Sequence, residues 1–289
     1  MLYWIYEEWH AAFQQGADWA VTFKFLNLFQ YITFRAAFAT ILSFSLSLAL
    51  GPRVIRRLIS MKVGQPIRTA EEVHKLAELH GGKAGTPTMG GVLILGTVLI
   101  SVLVCGRPLN PFVAVTTCMM LAMGLLGFVD DYTKVVKKDS AGVSARQKLF
   151  WQFVIAALGA TFIFFKKEVS GFGAVAGQSG GMGFHMKMGG ESSMINVSEL
   201  CFPLLKTPIM DIGYLAIPFF VLIIVGCSNA VNLTDGLDGL ATGCTITVSL
   251  AYAALAYLGG HFYMAHEYLF IPYNPLLSEL SVLLMASEA

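Results

Sequence analysis

Charge is scarce in this sequence. Only 13% of its 289 residues are Asp, Glu, Lys or Arg, against about 25% in a typical soluble domain. With 56% hydrophobic residues and a mean hydropathy of +0.67, this excludes an ordinary soluble globule and points to an all-α integral membrane protein. The net charge of +1 identifies no partner, and a nucleic acid is not expected as one. Cysteine is also sparse. Cys105, Cys118, Cys201, Cys227 and Cys244 form no CxxC pair and fall mainly inside apolar runs, so they read as small buried side chains, not ligands or disulfides. The N-terminus lacks a basic segment followed by an apolar core, so no cleavable signal peptide is expected. The six histidines, among them His74 and His80, show no ligand spacing. No internal repeat is evident, which argues against a transporter built from inverted repeats.

What the sequence does have is long apolar runs. A span needs roughly 20 residues, with about 17 as the lower limit. Six stretches qualify: 31–50, 89–105, 112–129, 149–165, 212–231 and 239–258. A seventh, 276–289, reaches only about 21 Å at about 1.5 Å per residue and reads as part of a helix. The expected architecture is therefore a polytopic helical bundle of six complete transmembrane helices and a partial seventh. It forms a single domain over 1–289 that reads as incomplete at the C-terminus. Residues 1–30, with Trp4, Trp9 and Trp19, suit an interfacial amphipathic helix. Residues 166–211 form a periplasmic insertion, glycine-rich over 171–190, with at most a small hairpin.

The basic residues orient the spans. Arg53, Arg56, Arg57, Lys62, Arg68, Lys75 and Lys83 follow the first span, and Lys134, Lys137, Lys138, Arg146 and Lys148 follow the third. The positive-inside rule puts both loops in the cytoplasm and the N-terminus outside. The loop after the fifth span is then cytoplasmic as well, and two acidic motifs meet on that face.

The first motif is Gly127-Phe128-Val129-Asp130-Asp131, with Lys134 one turn on. Asp130-Asp131 reads as the end of the third span. A solvated helix stop would account for it, but a helix C-terminus favours cations over two anions. Neighbours on a helix point about 100° apart, which suggests separate roles for the two carboxylates. The second motif runs from Asn229 through Asn232, Asp235, Gly236, Leu237 and Asp238 to Gly239. A turn and helix cap explain one or two of its polar residues, not all of them. Spacings of three put Asn229, Asn232, Asp235 and Asp238 near one face if the segment is helical. Hard oxygen ligands near hydrocarbon suit a divalent cation and phosphate. A third segment, Lys83-Ala84-Gly85-Thr86-Pro87-Thr88-Met89-Gly90-Gly91, places Lys83 and Thr88 at a helix start. Free backbone N–H groups there favour an anion.

These three motifs, in this order and over most of the chain, resemble the polyprenyl-phosphate N-acetylhexosamine-1-phosphate transferases, glycosyltransferase family 4. The Thr86-Pro87-Thr88-Met89-Gly90-Gly91 form is similar to the phospho-N-acetylmuramoyl-pentapeptide branch. The resemblance implies transfer of phospho-N-acetylmuramoyl-pentapeptide from its UDP carrier to undecaprenyl phosphate. The products would be lipid I and UMP, with Mg²⁺ as cofactor, at the cytoplasmic face of a bacterial inner membrane. UDP-N-acetylmuramoyl-pentapeptide, undecaprenyl phosphate and membrane lipid are the implied partners, and a homodimer is compatible with it. Carried over by motif, Asp130 is the base that frees the lipid phosphate to attack, while Asp131 and Lys134 order the phosphates. Asn229, Asn232, Asp235, Gly236, Leu237 and Asp238 form the nucleoside and metal-side pocket, and Lys83 and Thr88 line its entrance. Asp131 and Asp235 are the metal candidates. Direct attack and a covalent aspartyl intermediate are both open. The family fold has ten transmembrane helices. It carries a further metal-binding aspartate and a histidine-rich loop at positions that would follow residue 289, so the 289-residue chain alone is expected to be inactive or nearly so. The rival readings are a sister N-acetylglucosamine-1-phosphate transferase, an inactive scaffold and an ion-coupled transporter. The transporter would need ionisable groups near the midplane, whereas here they lie at the helix mouths.

Overall fold

The computed structural model describes residues 1–60, 90–137, 142–165, 184–188, 191–202, 205, 207–235 and 239–288. Five of its helices are long and apolar enough to cross a membrane. They belong to α3 (Ile32–Ser60), α5 (Pro111–Lys137), α6 (Ala145–Phe165), α7 (Ala216–Thr234) and α8 (Leu240–Gly259), preceded by the short α1 (Leu2–Gln14) and α2 (Asp18–Thr22). Two further apolar helices are shorter. The second expected span is α4 (Gly91–Cys105), whose 15 residues rise only about 22 Å. The seventh run is a 3₁₀ turn, Leu277–Glu279, leading into α9 (Leu280–Ala286). The protein is thus a multi-pass, all-helical membrane protein. Its only described sheets are two small antiparallel pairs. Phe184–Met188 pairs with Glu191–Ile195, the small hairpin anticipated in the insertion, and Glu199–Leu200 pairs with Met210–Asp211.

Small residues let the helices approach closely, as they must where lipid supplies no hydrophobic drive between helices. Ala36 and Ala39 of α3, Val98 and Val102 of α4, Val113 of α5 and Val282, Leu283 and Ala286 of α9 make one core. Ala156 and Ala160 of α6 with Val221 and Val225 of α7 make a second. At Gly159 of α6 a Cβ would collide with the Met119 side chain of α5, so this glycine makes room for that side chain between the two helices.

Four features depart from the sequence reading. Of the cysteines read as small buried side chains only Cys105 is buried, whereas Cys118, Cys227 and Cys244 face outward from the bundle. The α5 helix does not end at Asp130-Asp131 but continues to Lys137. Its last turn is therefore basic, as the helix dipole favours. In the N-terminal segment Trp9 is buried, donating its indole N–H to the Ala20 carbonyl at 2.9 Å, while Trp4 and Trp19 are exposed. Finally, a complete ion pair lies buried at the other end of the bundle. Arg35 of α3 donates to both carboxylate oxygens of Glu279, at 2.8 and 2.5 Å, and to the Cys105 carbonyl at 3.2 Å. It ties α3, α4 and the segment leading into α9 together.

Candidate active site

The site is assembled from the ends of three helices. On α5, Asp130 is buried and Asp131 half-buried. Although neighbouring carboxylates diverge around the helix, a lysine one turn on is within reach of both, at i+4 from the first and i+3 from the second. Lys134 Nζ lies 2.8 Å from Asp130 Oδ2 and 3.3 Å from Asp131 Oδ1. The two acids are thereby joined through one ammonium, which is closer coupling than their divergence suggested.

The other oxygen of Asp130 is held by the chain that enters α6. Ser144 caps this helix, its hydroxyl accepting the Gln147 N–H at 3.4 Å, with a glutamine at the third helical position as in a capping box. The residue before the cap, Val143, donates its N–H to Asp130 Oδ1 at 2.9 Å. Gly142 makes this approach possible. Its φ of +61° favours glycine, and a Cβ would lie 2.6 Å from Asp130 Oδ1 and 2.8 Å from Lys134 Cε. Lys148, in the first turn of α6, is near enough for its charge to act on Asp130. The cluster pairs two carboxylates with one bonded lysine, and Asp131 keeps one oxygen without a partner among the described residues.

On α7, Asn229, Asn232 and Asp235 fall at the helix end, with Asp235 as its C-cap. Asn229 is half-buried against α6, donating to Gln152 Oε1 at 2.9 Å and to the Val225 carbonyl at 2.8 Å. Asn232 and Asp235 are exposed. Helix α6 packs on both α5 and α7, so the acid pair and Asn229 share one end of the bundle through it. No hydrogen bond or ion pair among the described residues joins Asn232 or Asp235 to the acid pair. Lys83, Thr88, Gly236, Leu237 and Asp238 lie outside the described residues. Two residues were not singled out from sequence. Lys148 looked like one of several loop cations. Gln152 offered a weak signal, an amide inside an apolar run.

A cavity of about 370 Å³ lies elsewhere, between the far ends of α6 and α7, lined by Ala160, Ile163, Glu199, Phe220 and Ile224 among others. Its lining is almost wholly apolar, with Glu199 the one charged side chain, and it is remote from the acid pair, so it offers no cation for a phosphate.

Comparison with known proteins gives this arrangement a context. The sequence pattern of glycosyl transferase family 4 matches residues 113–276, which contain both acidic motifs, and signature 1 of phospho-N-acetylmuramoyl-pentapeptide-transferase matches residues 83–95. The chain is 43% identical over 258 residues to a phospho-N-acetylmuramoyl-pentapeptide-transferase of Methylacidiphilum infernorum, covering 89% of this chain and 64% of that protein. It is 40% identical over 264 residues to the enzyme of the same name from Citrifermentans bemidjiense, covering 91% and 64%. With that of Geobacter sp. strain M21 it shares 39% over 275 residues, covering 95% and 66%. The chain thus spans just under two thirds of the length of these relatives. With more than half of its residues inside the family pattern, the chain belongs to glycosyl transferase family 4.

Proposed function

We propose that this protein transfers phospho-N-acetylmuramoyl-pentapeptide from its UDP carrier to undecaprenyl phosphate, releasing UMP and forming lipid I. The observation that carries the reading is the Asp130–Lys134–Asp131 cluster at a membrane-helix end, in a chain that also bears the signature over residues 83–95. The basic loops support a cytoplasmic orientation for this end, at a bacterial inner membrane. There a soluble nucleotide sugar and a lipid phosphate can meet at one site.

The geometry supports the roles of the acid cluster, and the motif resemblance suggests the others. Asp130 accepts the Val143 N–H on Oδ1 and faces Lys134 with Oδ2. An incoming lipid phosphate competes with Asp130 for the ammonium, and this exchange exposes a carboxylate oxygen that can take the phosphate proton. Lys134 then neutralises charge on the transferred group, the main task in an in-line phosphoryl transfer. Asn229, Asn232 and Asp235, with Gly236, Leu237 and Asp238, hold the nucleotide. Lys83 and Thr88 line the approach.

The available donors suit Mg²⁺. No group of three or more acidic, His or Cys side chains gathers among the described residues. Mg²⁺, however, binds through one or two carboxylates with water and substrate phosphates completing its shell. Asp131, with one oxygen uncommitted, and the exposed Asp235 are the residues that would hold it. Bound there, the ion would offset charge on the diphosphate. The test is UMP release in lipid nanodiscs supplied with the nucleotide sugar, undecaprenyl phosphate and Mg²⁺, measured for the 289-residue chain, from which little or none is expected, and for a fusion that completes it to the length of its relatives, in which the variants below are also made. The reading predicts UMP release that depends on the lipid acceptor. Release that ignores the acceptor, or selective use of UDP-N-acetylglucosamine, would overturn it.

A further inference from the structure

The Asn229 amide is held by both of its N–H bonds. Nδ2 donates to the Val225 carbonyl at 2.8 Å and to Gln152 Oε1 at 2.9 Å. A carbonyl only accepts, so the atom facing Val225 is the amide nitrogen and not the oxygen. The second hydrogen also needs an acceptor. Gln152 therefore turns Oε1 toward Asn229, which leaves its Nε2 toward Ser228 Oγ, 3.4 Å away. The orientation of both amides follows from a single backbone carbonyl. Gln152 is only 3% exposed, and turning it away would leave a buried amide unpaired. With its two donors spent, Asn229 has only Oδ1 left to offer a ligand, at the half-buried seam between α6 and α7.

We propose that Gln152 is a positioning residue of the nucleotide pocket. It locks Asn229 so that the pocket presents a hydrogen-bond acceptor, which selects a neutral donor on the nucleotide, a hydroxyl or an imide N–H. A phosphate oxygen only accepts and would meet Oδ1 lone pair to lone pair, so Asn229 does not hold the diphosphate. This rests on the transferase reading above.

The test measures UMP binding by calorimetry and, on the same nanodisc samples, the KM for undecaprenyl phosphate. Gln152→Leu and Asn229→Ala each weaken UMP binding about tenfold, the worth of one oriented hydrogen bond. The double variant is no weaker than either single variant, because both remove the same interaction. Gln152→Glu keeps an acceptor toward Asn229 and binds UMP within about threefold of the parent. Asn229→Asp keeps the shape and Oδ1 but loses both donors, and it binds as poorly as Asn229→Ala. The KM for the lipid phosphate moves less than about twofold throughout, as expected when a single hydrogen bond to the other substrate is lost. Losses that multiply in the double variant, an Asn229→Asp variant that binds like the parent, or a lipid KM rising in step with the loss of UMP binding would each overturn the proposal. If the parent chain binds UMP and Gln152→Leu binds it equally well, the proposal fails alone. If the parent binds no UMP, the transferase reading fails with it.

Discussion

Two charge clusters sit at opposite ends of the bundle and are balanced differently. At one end Arg35 and Glu279 meet one to one, both buried, with the guanidinium making paired bonds to the carboxylate and a third to the Cys105 carbonyl. The Tyr3 ring lies 5.2 Å from the Arg35 guanidinium carbon and 4.0 Å from that of Arg107. At the other end Lys134 serves two carboxylates at 2.8 and 3.3 Å, in a setting that is only partly buried. The Arg35–Glu279 pair is buried and closed on itself, so a ligand could reach it only by breaking it. At the other end one lysine is shared between two acids in a half-open setting, so an incoming phosphate or cation can redistribute the contacts. A closed pair holds helices together, and a shared, accessible one is available for chemistry.

The sharpest way to break this comparison is at Asp130. Asp130→Asn keeps an oxygen for the Val143 N–H, so the α5–α6 junction survives, but it removes the proposed proton acceptor and the anion facing Lys134. UMP release is expected to fall by about 10³- to 10⁴-fold, in the upper range for loss of a general base. The thermal midpoint should move little. A large fall in that midpoint with residual activity would make Asp130 a structural residue like Arg35.

Arg35→Met is the reverse case. Removing one partner strands the Glu279 carboxylate, a loss of about 3–5 kcal/mol. The double variant with Glu279→Met should regain most of it, since well-packed apolar side chains replace buried ion pairs at little cost. Turnover per folded molecule should be unchanged. Denaturation in detergent together with the transfer assay checks both points, and turnover lost without any loss of stability would dissolve the distinction between the ends.

Gly142→Ala is expected to have an intermediate effect. The left-handed backbone costs an alanine about 1–2 kcal/mol, and the new Cβ would sit 2.6 Å from Asp130 Oδ1. The loop must retreat from the carboxylate, so activity and stability should fall together, activity by about tenfold if the whole strain falls on the active arrangement. Activity lost at constant stability would show that the loop shifts without strain.

The apolar runs made most of this architecture legible. Hydropathy located the long helices, and Asp130-Asp131 and Asn229 fall at one end of the bundle, while Lys83 and Thr88 lie outside the described residues. What remained hidden depended on partners far apart in the chain. Arg35 and Glu279 are 244 residues apart, and no local pattern pairs them. Asp130-Asp131 reads as a helix end because the apolar run stops there, but the edge of the hydrocarbon is not the edge of the helix, and α5 runs on to Lys137. Asn229 was legible as a site residue, but its amide orientation depends on Val225 and Gln152, and hence on the packing of α6 against α7.

Asp131→Asn tests the finest division, the one within the acid pair. Its contact with Lys134 is the longer of the two, and its side chain is 35% exposed. Exposed ion pairs of this kind contribute about 0–1 kcal/mol, so the stability change should stay within about 0.5 kcal/mol. Lys134 remains held by Asp130. The expected effect is instead on the Mg²⁺ requirement, because Asn offers a neutral oxygen where a hard cation prefers a carboxylate. Half-maximal activity should need more Mg²⁺, with the rate at saturating Mg²⁺ affected less than in Asp130→Asn. An unchanged Mg²⁺ curve with a uniformly lower rate would assign Asp131 to positioning Lys134, and Asp235 would then be the described carboxylate left to hold the ion.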